Sequence, residues 1–374
     1  MMAEKNPAPA AATAPELTLE RVNVAPAQTW NRLRTNDVTL TVPARGRAGD
    51  VYFSLPRLFE GVECGMGPEV TAWVESQAAD ARYVEVPRGE RRAEPIVVSV
   101  ASGAGEVADT GVMVREGAEV TIVVAAGAGE KDGDAEGDAT AADPAAAPAT
   151  SASLLRVIAE AGARVTIHEY LCPGADAQHL ESVGIRAGRD ARVEVRQYAL
   201  GGGTVALGLA ADLAGDRARF DLTQRYHAAG TEVLDVNEVV RMRGRNTRSE
   251  LAYSGVLEDA AKKSLRTTID LVHGARGAQG NEAETVLVLG DDVTNKTLPV
   301  ILCDEDDVAG NHGATIGSVS PEQLAFLASR GLSRADAEEL FSRAVFEDAL
   351  MSAPCPEARA VVRRDSSLES SEEA

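Results

Sequence analysis

Between residues 96 and 303, apolar and polar residues alternate in short segments that follow turns containing glycine or aspartate. The clearest segments are "REGAEVTIVVAAG", "EAGARVTIHEY", "RAGRDARVEVRQY" and "LAGDRARFDLTQRY". Alternation with a period of two residues is typical of a β-strand that buries one face. We therefore predict that this part of the chain is built from short strands.

The predicted strands recur at a nearly constant interval. Aligned on the alanine that opens each apolar pattern, three units start at Ala163, Ala191 and Ala218, which are 28 and 27 residues apart. The preceding unit starts at Ala118, and the longer gap contains an acidic low-complexity insert at 127–150. A strand repeat of this length is typical of a solenoid with two strands in each turn. A β-sandwich is the competing interpretation, but it requires turn signals at closer spacing.

The hydrophobic period changes from two residues to a helical period after residue 315. The sequence "SPEQ", which starts at Ser320, matches a capping box with proline at the first helical position, and Gly331 is placed to end that helix. A second helix start follows at Ser333. Two short amphipathic helices can cover the end of a solenoid only in part, so the remaining apolar face is a candidate partner site.

The predicted fold is an all-β solenoid core flanked by two smaller regions. In chain order we assign a disordered start at 1–16, an N-terminal α/β region at 17–95 in which Trp30 and Leu33 are anchors, the solenoid at 96–315, a helical region at 316–352 and an acidic tail at 353–374.

The composition of the 374-residue chain agrees with a narrow solenoid core. Hydrophobic residues make up 44% of the chain and aromatic residues only 4%, so the core must be aliphatic. The formal net charge of -21 disfavours binding to nucleic acids and to anionic membranes. The chain shows neither the apolar segment of a secretory signal nor a run of apolar residues long enough to span a membrane. We therefore expect a cytoplasmic protein.

The four cysteines, Cys64, Cys172, Cys303 and Cys355, are far apart and form no CxxC pair. We expect neither a disulfide framework nor a structural zinc site. Cys303 follows an apolar run and is expected to be a buried small hydrophobic residue, although its position near His312 keeps it a secondary metal candidate. Cys355 lies between two prolines and is expected to be exposed.

Few other residues suggest chemistry. The glycine-rich "ALGGGTVALG" lacks the lysine of a P-loop, and no catalytic triad stands out from the acidic background. His168, Tyr170 and Cys172 share one face of a predicted strand; this spacing could form part of a metal site, but with only two ligand-type residues we favour core packing. His312 lies in a predicted turn, where its imidazole could bind iron, relay a proton or cap the turn. Glu284, with Glu282, is expected to belong to a solvated strand face.

Four segments resemble the SufB/SufD family of iron–sulfur cluster assembly proteins, with the closer likeness to the SufD branch. In chain order they are "SELAYSGVLEDAA", "QGNEAETVLVLG", "DDVAGNHGATIG" and "EQLAFLASRGLSRADAEELF". The resemblance runs from about Ser249 to Leu350 and is weaker across the solenoid. It implies a right-handed parallel β-helix core with a helical C-terminal region, and a role as a non-enzymatic assembly factor.

The resemblance also implies partners. The C-terminal helices would dock to a SufC-type ABC ATPase, and the last rungs of the β-helix would pair with a SufB-type protein or with a second copy of the chain. A transient iron–sulfur cluster would form at that interface, and no tightly bound cofactor is expected. The candidate docking residues are Leu324, Leu327, Arg330, Gly331, Leu340 and Phe341.

By the same resemblance, His312 falls where the SufD histidine contributes to the interface site. It is the main cluster or metal candidate, followed by Glu284 and Cys303. Glu284 falls near the position of the assembly cysteine of SufB, which argues against a SufB role. Three further departures from the family pattern put an independent cluster site in doubt: Gly310 replaces a frequent cysteine, Ser254 replaces a lysine, and Leu302 replaces an acidic residue.

Two other functions stay open at this point. A β-helix carbohydrate-active enzyme would need two or three carboxylates and stacking aromatic residues in a cleft, and the scarcity of aromatic residues weighs against it. A SufB-like scaffold would hold a cluster without a partner, and the glutamate at position 284 weighs against that function.

Overall fold

The computed structural model describes residues 15–27, 35–44, 53–128 and 149–365. Trp30, Leu33, nearly all of the start at 1–16, most of the insert at 127–150 and the end of the acidic tail lie outside the described residues. Within the described residues, the chain begins with the antiparallel pair β1 (Glu16–Val22) and β2 (Val38–Pro43). A 3-10 turn at Arg57–Phe59 and helix α1 (Pro68–Gln77) follow.

The next sixteen strands form two eight-stranded parallel sheets, and consecutive strands alternate between them. The first sheet contains β3 (Ala81–Val86), β5 (Val107–Val114), β7 (Ala149–Ala159), β9 (Ala177–Ala187), β11 (Thr204–Leu213), β13 (Val233–Met242), β15 (Lys262–Leu271) and β17 (Thr294–Cys303). The second contains β4 (Ile96–Ala101), β6 (Glu119–Gly127), β8 (Arg164–Cys172), β10 (Arg192–Ala199), β12 (Arg219–Ala228), β14 (Arg248–Glu258), β16 (Gln279–Leu289) and β18 (Ala309–Gly317).

This arrangement is the predicted parallel β-helix, in which each rung supplies one strand to each sheet. Val165, Val193 and Phe220 are in register on adjacent strands, so the predicted repeat is confirmed. Val120 is in register with Val165 in spite of the insert between them. The sandwich interpretation fails because every strand pair in both sheets is parallel. The two sheets extend from Ala81 to Gly317, slightly beyond the predicted bounds of 96–315.

Inward-facing aliphatic side chains of both sheets form one continuous core. Alanine occupies the same position at the start of successive rungs, and Ala163, Ala191 and Ala218 are fully buried there. Because strands in a sheet are about 4.8 Å apart, a column of equivalent residues stacks tightly and favours small or branched aliphatic side chains. The small share of aromatic residues follows from this geometry.

The N-terminal region packs on the outward face of the first sheet. Its apolar side chains, which include Met66, Val70 and Trp73, contact Leu154 and Leu180 of the β-helix. The contact brings two backbones together at Gly65 and Gly208, where an added Cβ would lie 2.0 to 2.4 Å from backbone atoms of the other segment. Only glycine fits at such a crossing.

The helices after the last rung are α2 (Pro321–Ala328), α3 (Arg334–Ser352) and α4 (Pro356–Asp365). The capping box predicted at Ser320 is present, and the second helix start predicted at Ser333 also has a capping box. Helix α4 lies in the range assigned to the acidic tail, so the helical region continues through Asp365. None of the helices in the described part of the chain is long and apolar enough to cross a membrane.

Helices α3 and α4 pack along the outward face of the second sheet, rather than over the end of the β-helix. The contact contains Tyr170, Tyr198, Val345, Cys355 and Val362. Cys355 is therefore buried, and the expectation that it is exposed is wrong. The strand β18, in contrast, is exposed along nearly its whole length.

Candidate functional site

The last rung of the β-helix consists of β17 and β18, which are the terminal strands of the two sheets. Among the described strands, none pairs with their outer edges. A free strand edge presents unpaired backbone N–H and C=O groups and is a ready template for pairing with another chain. This end of the molecule is therefore the first place to examine for a functional site.

His312 lies within β18, so the expectation that it lies in a turn is wrong. Its register partner on the neighbouring strand is Glu282. Gly310, two residues earlier, faces the interior, because a Cβ added there would lie 3.1 Å from the side chain of Ile301. Alternate residues of a strand share a face, so His312 belongs to the inward column. It is nevertheless exposed, since no described strand follows β18 in its sheet.

Glu282 and Glu284 do not form a solvated face. They alternate with more exposed residues but point inward. The exposed fraction is 5% for Glu282 and 2% for Glu284. The sequence interpretation failed because a lone glutamate pair on a strand is normally turned to water. Here the polar partners of Glu284 come from other strands, Lys263 on β15 among them, which the local pattern does not reveal.

The carboxylate of Glu284 is fully engaged. It accepts hydrogen bonds from the ammonium of Lys263, from Tyr226 Oη at 3.0 Å and from Thr297 Oγ1 at 2.6 Å. Lys263 is 1% exposed and also donates to Thr297 Oγ1 at 3.1 Å. Burial lowers the pKa of Lys263, and the attraction of Glu284 opposes that effect. The group is a satisfied buried ion pair between the two sheets.

The carboxylate of Glu282 is in the opposite situation. Neither Oε1 nor Oε2 has a hydrogen-bond partner among the described residues, although both atoms are buried. Burial and then repulsion from Glu284 raise the pKa of Glu282 to about 7, while Lys263 opposes the increase. A buried carboxyl group without a donor is costly, and such groups in folded proteins call for an explanation.

A column of polar side chains extends through the β-helix interior from its middle to the rung next to the last one. Sequence reasoning missed this column. Glu169, Gln197, Gln224, Tyr253 and Glu284 occupy one inward column on successive strands. Gln197 Nε2 donates to the Glu169 carboxylate at 2.7 Å, and Gln224 Nε2 donates to Gln197 Oε1 at 3.1 Å. The missed signal is a polar residue at the same inward position of successive repeats.

Burial shifts the pKa values of several titratable side chains in the β-helix interior. Tyr253 donates to the carboxyl group of Glu238, and burial raises the pKa of Glu238 to about 8. Burial, followed by the proximity of Glu181, raises the pKa of Glu169 well above its usual value. Burial lowers the pKa of His179 to about 3, so this imidazole is neutral beside Ser151 and Glu181.

The remaining metal candidates do not join His312. Cys303 is exposed at the end of β17, contrary to the expectation of burial, and its Sγ lies 3.3 Å from the Glu305 carbonyl. Ile301 lies against Gly310, so Cys303 lies further toward the turn. Nowhere in the described ranges do three or more His, Cys, Asp or Glu residues form a group that could hold a metal ion. His168, Tyr170 and Cys172 lie on the face covered by α4, where Tyr170 stacks on Tyr198 at 5.0 Å. The four cysteines, all within the described residues, form no disulfide.

The predicted docking residues divide into two groups. Arg330, Gly331 and Leu340 are exposed, whereas Leu324, Leu327 and Phe341 are half-buried. Phe341 packs against the contact between α3 and the second sheet. Phe326, which was not among the predicted residues, is 58% exposed and lies under the guanidinium of Arg330 at 4.8 Å. Leu340 is 47% exposed, so α2 and α3 each present a large apolar side chain to solvent.

Comparison with known proteins identifies relatives of the chain. Residues 97–345 match the family model described as "SUF system FeS cluster assembly, SufBD core domain". The iron-sulfur cluster assembly protein SufD of Bacillus subtilis is 28% identical over 157 residues, which cover 42% of this chain and 36% of the relative. An iron-sulfur cluster assembly SufBD family protein of Methanocaldococcus jannaschii is 30% identical over 131 residues, which cover 35% and 40%.

A longer match is found with an iron-sulfur cluster assembly SufBD family protein of Mycobacterium bovis. It is 26% identical over 344 residues, which cover 87% of this chain and 80% of the relative. The matches to the Bacillus and Methanocaldococcus proteins span less than half the length of those relatives.

Proposed function

The chain belongs to the SufB/SufD family of iron–sulfur cluster assembly proteins, and we propose that it acts as a SufD-like, non-catalytic subunit of a cluster assembly complex. The observation that carries the proposal is the position of His312. It is exposed on the terminal strand β18 and in register with the inward-facing Glu282 of β16. An imidazole at a free strand edge is available both to a metal and to a partner chain.

The partner at this edge would be a SufB-type β-helix protein or a second copy of this chain. Strand β18 offers a nine-residue edge on which the side chain of Ile316 is 56% exposed. Addition of a strand to such an edge forms backbone hydrogen bonds and covers apolar side chains. The iron–sulfur cluster is the cargo of this interface rather than a resident cofactor, and imidazole is a suitable ligand for iron.

A second partner, a SufC-type ABC ATPase, would dock to the helical region. Phe326 and Leu340 are exposed on α2 and α3, and no residue of α2 is buried. Exposed aromatic residues beside arginine are typical of the centres of protein interfaces. Movement of α3, which packs on the second sheet, would carry the effect of the ATPase to the β-helix.

The SufD-like assignment is favoured over a SufB-like scaffold by the state of position 284. A scaffold residue must be free to bind sulfur or iron, whereas the Glu284 carboxylate accepts three hydrogen bonds inside the β-helix. Replacement of Lys263, the one cation among these donors, would leave a buried charge without compensation.

The proposal is tested by co-purification of the full-length chain with the SufC-type ATPase of the same organism. Wild-type protein is expected to retain the ATPase on an affinity column. Phe326→Asp and Leu340→Asp are each expected to lose it, because an introduced carboxylate is costly to desolvate in an apolar interface. Leu17→Asp is the matched control, since Leu17 is 44% exposed on β1. Failure of the wild-type chain to retain the ATPase, or retention by both helix variants, contradicts the docking.

A further inference from the structure

We propose that Glu282 is a second iron ligand and that, together with His312, it forms half of an Fe(II) site that a partner chain completes. This inference rests on the proposed function, because it specifies the residues that hold the cargo at the last rung. It departs from the sequence-based candidates, which place Glu284 and Cys303 beside His312.

The two side chains are adjacent in the sheet. Glu282 and His312 are register partners on the neighbouring strands β16 and β18. Paired strands are about 4.8 Å apart, and residues in register on parallel strands point to the same side of the sheet. A carboxylate and an imidazole at this spacing can bind one metal ion between them, since metal bonds to oxygen and nitrogen ligands are about 2.0 to 2.2 Å long.

The carboxylate of Glu282 accepts no hydrogen bond from the described residues. Both of its oxygens are buried and without a hydrogen-bond partner, and the residue is 95% buried. The ammonium of the buried Lys263 donates to Glu284 and Thr297 instead. A buried carboxylate of this kind is stabilised by a cation that arrives from outside.

The surface around His312 is open to a partner and to a metal ion. His312 is exposed, and β18 has no outer neighbour among the described strands. Imidazole and carboxylate together suit Fe(II) and other divalent first-row ions. Two ligands leave most coordination positions vacant, so the site is incomplete without a second chain.

The experiment is an anaerobic titration of the full-length chain with Co(II), followed by calorimetry and visible absorption. The wild type is expected to bind Co(II), and both Glu282→Gln and His312→Ala are expected to weaken binding by about ten-fold or more. Glu282→Asp retains the carboxylate on a shorter side chain and is expected to bind with intermediate affinity. Glu250→Gln, on the outward face of the neighbouring strand, is the matched control and should bind as the wild type does.

The outcomes separate this inference from the proposed function. The assignment of Glu282 is overturned if Glu282→Gln is folded, as judged by circular dichroism, and binds Co(II) as tightly as the wild type does. This holds even when the chain still retains the ATPase. A wild-type chain that binds no Co(II) at millimolar concentration also overturns it. Loss of ATPase binding with an intact Co(II) site contradicts the proposed docking and leaves the metal site in place.

Discussion

Lys263 of the first sheet and Glu284 of the second sheet form a buried ion pair across the interior of the β-helix, in the rung below His312. The pair joins the two sheets at the point where the aliphatic core ends and the exposed rung begins. Tyr226 and Thr297 complete the hydrogen bonding of the carboxylate. The last rung therefore stacks on a buried layer of polar side chains that are hydrogen-bonded to one another.

We predict that Lys263→Met destabilises the protein by about 3 to 5 kcal/mol, because it leaves the Glu284 carboxylate buried without its cation. The double variant Lys263→Met/Glu284→Gln is expected to be more stable than Lys263→Met, since no charge remains to be compensated. Chemical denaturation followed by circular dichroism gives the two free energies of unfolding. Additive costs in the double variant contradict the direct coupling.

The pH dependence of stability follows from Glu238. Its pKa is raised from 4.5 to about 8 by burial, so between these values the folded protein binds a proton that the unfolded chain releases. The contribution to stability is therefore present at low pH and is lost as the pH rises toward 8, at about 1.4 kcal/mol per pH unit. Glu238→Gln keeps an acceptor for Tyr253 and cannot titrate.

Glu238→Gln is thus expected to gain stability relative to the wild type as the pH rises from about 5 to about 8. Denaturation curves at several pH values measure the difference. Asp190→Asn, at an exposed turn, is a control in which no such gain is expected, because its carboxylate pairs with Arg217 and its pKa is lowered. A constant difference between wild type and Glu238→Gln over this range refutes the prediction.

The contact between the N-terminal region and the β-helix depends on glycine at position 208. A Cβ there would lie 2.4 Å from the backbone nitrogen of Met66, so we predict that Gly208→Ala costs about 1 to 3 kcal/mol through overpacking. Gly61→Ala is the matched control, because a Cβ at Gly61 meets no atom within 4 Å. Thermal unfolding should show a lower midpoint for Gly208→Ala only; equal midpoints are inconsistent with the close approach.

The β-helix could be predicted from the sequence because its signals are local and repeated. Each rung carries its own turn and its own alternation, and the alanine column at Ala163, Ala191 and Ala218 fixes the interval. The helix starts were equally local, since the capping residues at Ser320 and Ser333 act within one turn. In these segments, local preference and tertiary structure agree.

The site was harder to predict because its residues depend on distant partners. Whether Glu284 faces water or the interior is decided by Lys263, which lies on the opposite sheet. Cys303 follows an apolar run and is exposed, because it lies on the terminal strand of its sheet. Cys355 is buried because α4, inside the range assigned to the acidic tail, packs on the outward face of the second sheet.

His312 provides the most direct test of the proposed function. Its side chain is exposed on β18, so His312→Ala is expected to change the free energy of unfolding by less than about 0.5 kcal/mol. In the reconstituted complex with the SufB-type and SufC-type partners, the same variant is expected to lower the yield of iron–sulfur cluster, measured by visible absorption. Cys303→Ala serves as the control, since Cys303 Sγ lies 3.3 Å from the carbonyl oxygen of Glu305 in the turn after β17. A cluster yield equal to that of the wild type would remove His312 from the mechanism.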